Sequence, residues 1–164
     1  MGVRRPSWMD AAAFAARAHR MHMRRDDKTP YVAHVYRVAM IVRDLFGCED
    51  ESAISAAILH DVIEDTPTDY DDIEERFGPE VADLVSALTK NMLLREDRRE
   101  ADYLDRLRAA DWRARLIKLA DVMDNALEGK GKSDKMPGRC RDAIELATPD
   151  ADGANSAATT SNTR

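Results

Sequence analysis

The segment Ala56-Ala57-Ile58-Leu59-His60-Asp61-Val62-Ile63-Glu64-Asp65-Thr66 ends an apolar run in a histidine and three carboxylates. If the segment is one helix, His60 and Glu64 stack on one face and Asp61 and Asp65 on the adjacent one, because residues four apart are neighbours. That placement suits a metal ion with an acid–base group beside it. Taken alone, the segment also fits a buried histidine followed by a solvated acidic helix end.

Partners decide between the two readings. The chain has 4 histidines: His19, His22, His34 and His60. His34 precedes Val38 by four residues and Ile41 by seven, so it points along an apolar stripe toward the core. Asp121 interrupts Lys118-Leu119-Ala120-Asp121-Val122-Met123, on a helix that must be largely buried. A buried carboxylate is costly unless it is paired or metal-bound. Asn125 lies four residues on and shares its face. His34, His60, Asp61 and Asp121 make a mixed nitrogen and oxygen donor set without thiolate, unlike structural zinc sites. Such a set accepts Mn²⁺, Fe²⁺, Zn²⁺ or a related ion. A bound ion lowers the pKa of water and polarises a phosphoryl group, and Glu64 and Asp65 stand where a base would handle that water. The chemistry expected is metal-assisted hydrolysis.

The elements that carry these residues read as helices almost throughout. Ser7, with Asp10 completing a capping-box pattern, starts a helix running to about His22. Arg24 to Thr29 is a charged loop, and Pro30 opens the next helix. Its stripe is Val35, Val38, Ile41, Val42 and Leu45, stopped by Gly47. Asp50 caps a third helix that reaches His60-Asp61 and ends at Thr66-Pro67. Thr68 with Asp71 starts a short helix closed by Phe77-Gly78. Pro79 opens another, whose core face is Val81, Leu84, Val85 and Leu88. Asn91 to Arg99 reads as a charged, mobile stretch, followed by a helix with Tyr103, Leu104 and Leu107. A strong helix then spans about Arg115 to Leu127, and Arg139 to Ala147 forms a short last one after a polar connection, Gly129 to Gly138. Alternating strand patterns, internal repeats and glycine-rich phosphate loops are absent from the sequence. The expected fold is all-α, a bundle of about six to seven helices over residues 7–147, with residues 148–164 a disordered polar tail.

Bulk composition excludes several classes. The 164 residues suit one domain, and 44% hydrophobic with 34% charged residues reads as soluble and globular. A net charge of −6 argues against a general nucleic-acid binder. Cys48 and Cys140 form no CxxC pair, and the longest apolar runs are too short to span a bilayer, so a cytoplasmic protein is expected. Arg17, Arg20, Arg24, Arg25 and Lys28 nevertheless give a local basic cluster fit for a small anionic ligand.

These residues resemble the HD-domain metal-dependent phosphohydrolases. Thr29-Pro30-Tyr31-Val32-Ala33-His34, His60-Asp61-Val62-Ile63-Glu64-Asp65-Thr66 and Lys118-Leu119-Ala120-Asp121 are similar to the hydrolase domain of the RelA/SpoT alarmone enzymes, in particular the small, single-domain (Mesh1-like) alarmone hydrolases. The likeness covers about Phe14 to Asn125. It implies an HD-domain helical bundle and removal of the 3′-pyrophosphate from guanosine tetra- or pentaphosphate, normally with Mn²⁺. By position, His34, His60, Asp61 and Asp121 then hold the metal, Glu64 and Asp65 handle the attacking water, and Arg24, Arg25, Tyr31 and Asn125 meet the nucleotide. No synthetase domain follows, so alarmone synthesis is not expected.

Three features depart from the family pattern. Lys28 stands where relatives commonly have glycine, Asp26 and Asp27 bring negative charge toward a polyanion, and Glu128 is placed to repel phosphate. They motivate an alternative, hydrolysis of another nucleotide or of NADPH. A module that binds nucleotide without turnover is a third reading, different in class.

Overall fold

The computed structural model describes residues 7–129 and 136–148. The described residues form nine α-helices: α1 Ser7–Ala18, α2 Val32–Met40, α3 Glu51–Leu59, α4 Val62–Asp65, α5 Tyr70–Phe77, α6 Pro79–Leu88, α7 Glu96–Ala109, α8 Trp112–Leu127 and α9 Met136–Ala147. Apart from one isolated antiparallel bridge, Met23 to Pro30, no strand pairing occurs among them. The all-α expectation is met, with more helical segments than the six to seven expected. The expected tail, 148–164, lies outside the described residues beyond Thr148, as does most of the Gly129–Gly138 connection.

α3 is the centre. Every residue from Ala53 to Leu59 is buried, as expected of a helix apolar on all sides. Its small residues let α1, α2, α6 and α8 pack around it. α1 contributes Ala11 and Ala15, α2 Val35 and Val38, α6 Val81, Val85 and Leu88, and α8 Ile117 and Ala120. α7 adds Tyr103 and Leu107, and α9 packs on α8.

Helix ends follow local chemistry. Asp50 caps α3, its side chain accepting from Ala53 N at 2.7 Å. Gly78, at φ 88°, closes α5 and hands over to Pro79 at the start of α6. One guanidinium gathers three helix starts: Arg113, 14% exposed in its side chain, reaches Asp50 of α3 (3.3 Å), Glu80 of α6 (2.7 Å) and the α8 cap Asp111 (3.0 Å).

Several sequence expectations are corrected. Ser7 turns its hydroxyl across to Ser55 of α3 (2.9 Å), and its N–H donates to Glu51 (2.6 Å). α1 stops at Ala18 rather than His22, because His22 gives its carbonyl to Tyr31 N (2.8 Å) and the chain turns back. Pro30 precedes α2 rather than opening it. The stripe of α2 breaks at a π-helical turn, Ile41–Leu45, which rotates Leu45 out to 60% exposure while Val42 stays buried. The α5 capping box is Asp69 with Asp72, one residue later than Thr68 with Asp71. α7 already begins at Glu96, inside the stretch expected to be mobile, and α8 at Trp112, because Asp111 caps it through Arg113 N (2.8 Å).

Candidate metal and hydrolytic site

The His60-Asp61 segment is not one continuous helix. α3 ends at Leu59, His60 and Asp61 form a turn, and α4 restarts at Val62. His60 Nδ1–H donates to the Ala57 carbonyl at 2.8 Å, which leaves Nε2 facing inward. A carbonyl only accepts, so the proton is assigned to Nδ1. Nε2 of His60 is buried without a hydrogen-bond partner among the described residues.

Around that nitrogen the expected donors converge. One ligand atom each from His34, His60 and Asp121 lies within 4.8 Å of the others. His34 Nε2 is 3.2 Å from Asp121 Oδ1 and 3.6 Å from Asp61 Oδ2. Asp61 Oδ2 is 3.1 Å from His60 Nε2. α2, the α3–α4 turn and α8 thus each supply part of the set.

Burial and the neighbouring charges compete in this cluster. Burial alone pushes His60 down, but the Asp61 and Asp121 carboxylates outweigh it and raise the imidazole to about 9. Burial opposes ionisation of Asp61 and Asp121 as well. The neighbouring His60 holds Asp61 below the carboxylate range, and Lys118 and the histidines do so for Asp121. An inward-facing imidazole nitrogen without a partner, flanked by ionised carboxylates and no thiol, fits a divalent cation with nitrogen and oxygen ligands.

Behind the donors stand Lys118, from the quoted Lys118-Leu119-Ala120-Asp121 segment, and Asp124, which lies outside it. Asp124, 3% exposed, accepts His34 Nδ1–H at 2.7 Å. It also takes Arg37 Nε at 2.6 Å and Nη2 at 2.9 Å. Lys118 Nζ donates to Asp121 Oδ2 at 2.9 Å and lies over the buried Tyr103 ring. The available signal for Asp124 is its spacing, three residues after Asp121 on one helix face.

Tyr31 and Asn125 do reach the site. Tyr31 Oη donates to Asp61 Oδ2 at 2.6 Å, and Asn125 Nδ2 donates to Asp121 Oδ1 at 2.6 Å. Both therefore touch donor residues.

Arg24 and Glu128 correct the expectation of repulsion. Arg24, 6% exposed, sits over the Tyr31 ring. Its Nε donates to Glu128 Oε2 at 2.9 Å and its Nη2 to Asn125 Oδ1 at 3.1 Å. Glu128 is paired again by Arg37. Its charge is neutralised within the protein, and so is that of Arg24. Arg25 is exposed and lines a separate cavity of about 400 Å³ with Arg24, Asp26, Glu128 and Gly129. Asp26 turns into its own loop, accepting from Lys28 N, Thr29 N and, first in effect, the Thr29 hydroxyl, which hold it down to about 2. Asp27, at φ 54°, takes the left-handed conformation in this loop, which aspartate tolerates. The basic cluster divides, since Arg17 and Arg20 line a different cleft with Arg76.

Glu64 and Asp65 stand on α4, past the break. Glu64 Oε2 accepts from Lys90 N at 3.1 Å. It lines a cavity of about 500 Å³ with Lys90, Arg99 and Arg139 among its walls. Desolvation, and then the Asp61 charge, raise both carboxyls above their ordinary values.

Comparison with known proteins identifies the family and relatives of the chain. The family described as "HD domain" matches residues 11–146. A Drosophila melanogaster protein named guanosine-3′,5′-bis(diphosphate) 3′-pyrophosphohydrolase MESH1 is 40% identical over 119 residues, 72% of this chain and 66% of that protein. The Homo sapiens protein of the same name is 37% identical over 126 residues, 76% of this chain and 70% of that protein. The chain thus spans about two thirds of the length of these relatives. A solved structure titled "A metazoan ortholog of SpoT hydrolyzes ppGpp and plays a role in starvation responses" superposes with a TM-score of 0.78 at 30% identity, covering 91% of this chain and 89% of that one.

Proposed function

The chain belongs to the HD-domain family, and from that premise we propose that it is a metal-dependent phosphohydrolase that removes the 3′-pyrophosphate of guanosine tetra- or pentaphosphate. The observation that carries this reading is the convergence of His34, His60 and Asp121 within 4.8 Å, with Asp61 against them, in a chain whose relatives are named as 3′-pyrophosphohydrolases.

In this reading residues 7–147 form the hydrolase unit. His34, His60, Asp61 and Asp121 hold the ion, for which we propose Mn²⁺. When bound, the ion supplies Lewis-acid polarisation and a water of lowered pKa. Asp124 and the Ala57 carbonyl fix the two imidazoles so that each Nε2 points inward. Tyr31 and Asn125 orient Asp61 and Asp121. Glu64 and Asp65 accept the proton of the attacking water, a role that their raised pKa values favour. Lys90, Arg99 and Arg139 line the cavity beside Glu64 together with Glu96, Glu100 and Asp142, and Lys90 is paired to Glu100, so basic groups that can meet a phosphate stand among acids there. Arg25 contacts the nucleotide from the loop. The partner is a small-molecule nucleotide rather than nucleic acid. No helix among the described residues is long and apolar enough to cross a membrane, and both cysteines are free thiols, which supports placement in a reducing cytoplasm.

A second reading keeps the hydrolytic centre and changes the nucleotide, to another one or to NADPH. The engagement of Arg24 by Glu128 and Asn125 favours it, because a guanidinium so held is not free to meet a guanine. The test incubates Mn²⁺-loaded protein with a panel of 3′- and 5′-phosphorylated nucleotides and NADPH. Release of pyrophosphate from the alarmone is expected. Turnover of another nucleotide without it rejects the lead reading, and binding without any turnover rejects both.

A further inference from the structure

Two histidines bury an imidazole nitrogen without a hydrogen-bond partner among the described residues: His60 Nε2 and His19 Nε2. The donor set explains the first. His19 is outside that set, yet it is 2% exposed and follows directly on α1. Its Nδ1 meets His22 Nδ1 at 3.1 Å. Its ring lies on Tyr31, centroids 4.9 Å apart and tilted 35°, and Tyr31 in turn donates to Asp61. The titratable groups nearest in effect to His19 are Asp61, His22, His60 and His34. His19 is thus layered onto the site from the α1 side. Burial pushes it down to about 4, so the ring is neutral near pH 7 and carries one proton.

A buried polar atom without a partner destabilises the fold unless something outside the chain fills its place. An apolar ring here would carry no such penalty. His22 holds one edge of the ring, and Nε2 at the other is enclosed without a hydrogen-bond partner among the described residues, beside Tyr31 and within the field of Asp61, His60 and His34.

We propose that His19 is a substrate-contacting residue of this site, whose Nε2–H donates to a phosphoryl oxygen while His22 and Tyr31 hold the ring. The proposal rests on the phosphohydrolase reading. It fixes the tautomers: His22 Nδ1–H donates to His19 Nδ1, and the proton of His19 is on Nε2.

The test uses the full chain, loaded with Mn²⁺ and titrated with inorganic pyrophosphate by calorimetry. His19→Gln carries an amide nitrogen near the place of Nε2, and His19→Asn carries one near that of Nδ1. His19→Gln is expected to stay within about threefold of the wild-type affinity and His19→Asn to lose about tenfold, the equivalent of about 1.4 kcal/mol, with metal content and melting temperature unchanged in both. In the metal-free, ¹⁵N-histidine-labelled wild type, His19 is expected as the Nε2–H tautomer. Equal affinity in all three proteins overturns the proposal. So does an equal loss in both variants, a loss that tracks metal content, an Nδ1–H tautomer, or a wild type that binds no pyrophosphate. Failure of the wild type to hydrolyse the alarmone rejects the substrate reading alone, because the pyrophosphate affinities are judged without turnover.

Discussion

His34 Nδ1 and Asp124 Oδ2 lie 2.7 Å apart, and the same carboxylate is gripped from the other side by Arg37. The carboxylate fixes the tautomer of His34 and directs its Nε2 lone pair at Asp121 and Asp61. Burial opposes the charge on Asp124, but the bonds from His34 and Arg37 bring the carboxyl down to about 2. Asp124→Asn is therefore expected to weaken metal binding roughly 10–100-fold. A carboxyl with a lowered folded pKa contributes stability that is present above its unfolded value and lost as pH falls through the folded one. The gap in melting temperature between wild type and variant should thus close as pH drops from about 5 toward 2. Wild-type metal affinity in the variant would remove Asp124 from the site.

Asp121→Ala is expected to lose metal and activity together. Supporting residues alone are worth about 10–100-fold in affinity, and Asp121 touches His34, Lys118 and Asn125 at once. Elemental analysis after gel filtration checks it, and full occupancy in the variant sinks the ligand assignment.

Glu64→Gln separates binding from chemistry. Metal content should be kept while turnover falls about 10²–10⁴-fold. Because the Glu64 carboxyl is raised, wild-type activity should fall as pH drops through a value above the ordinary carboxylate range. A variant with near wild-type kcat would discard the general-base role.

Metal uptake should depend on pH through His60. Its raised pKa means that the protonated ring stabilises the metal-free fold fully below about 6.5, and that this contribution is lost as pH rises through about 9. An ion must displace that proton, so apparent affinity should climb with pH, by up to about tenfold per unit, until the ring is neutral. Calorimetry in buffers of different ionisation enthalpy measures the proton released. Uptake without proton release near pH 7 contradicts the His60 assignment.

The convergence of His34, His60 and Asp121 was legible in the sequence because each is a polar group set where the apolar pattern disfavours one. His34 stands on a stripe and Asp121 inside a buried run, and a buried polar group calls for partners. Helix ends were legible where the residue type marks them, as the capping carboxylate of Asp50 and the positive φ of Gly78 do. The break at His60-Asp61 was not, because apolar spacing runs on across it and only the Nδ1–H to Ala57 bond reveals the turn. Leu45 was misplaced because one π-helical turn shifts the register of everything after it. Glu128 was read as a repulsive charge because its partners stand 104 and 91 residues away, and pairing at such separations leaves no local pattern. His19 and Asp124 read as ordinary helix polar residues until their neighbours are known.

Arg113 joins the starts of the two helices along which His60 and Asp121 are reached. The guanidinium ties the capping aspartates of α3 and α8, Asp50 and Asp111, at one point. His60 follows Asp50 by 10 residues (60 − 50), and Asp121 follows Asp111 by 10 (121 − 111). At 1.5 Å per helical residue these are two arms of about 15 Å leaving a common pivot, so the gap between their tips is set by the fold. Like calipers joined at the hinge, the two arms hold His60 and Asp121 at a spacing that the helix starts share in setting.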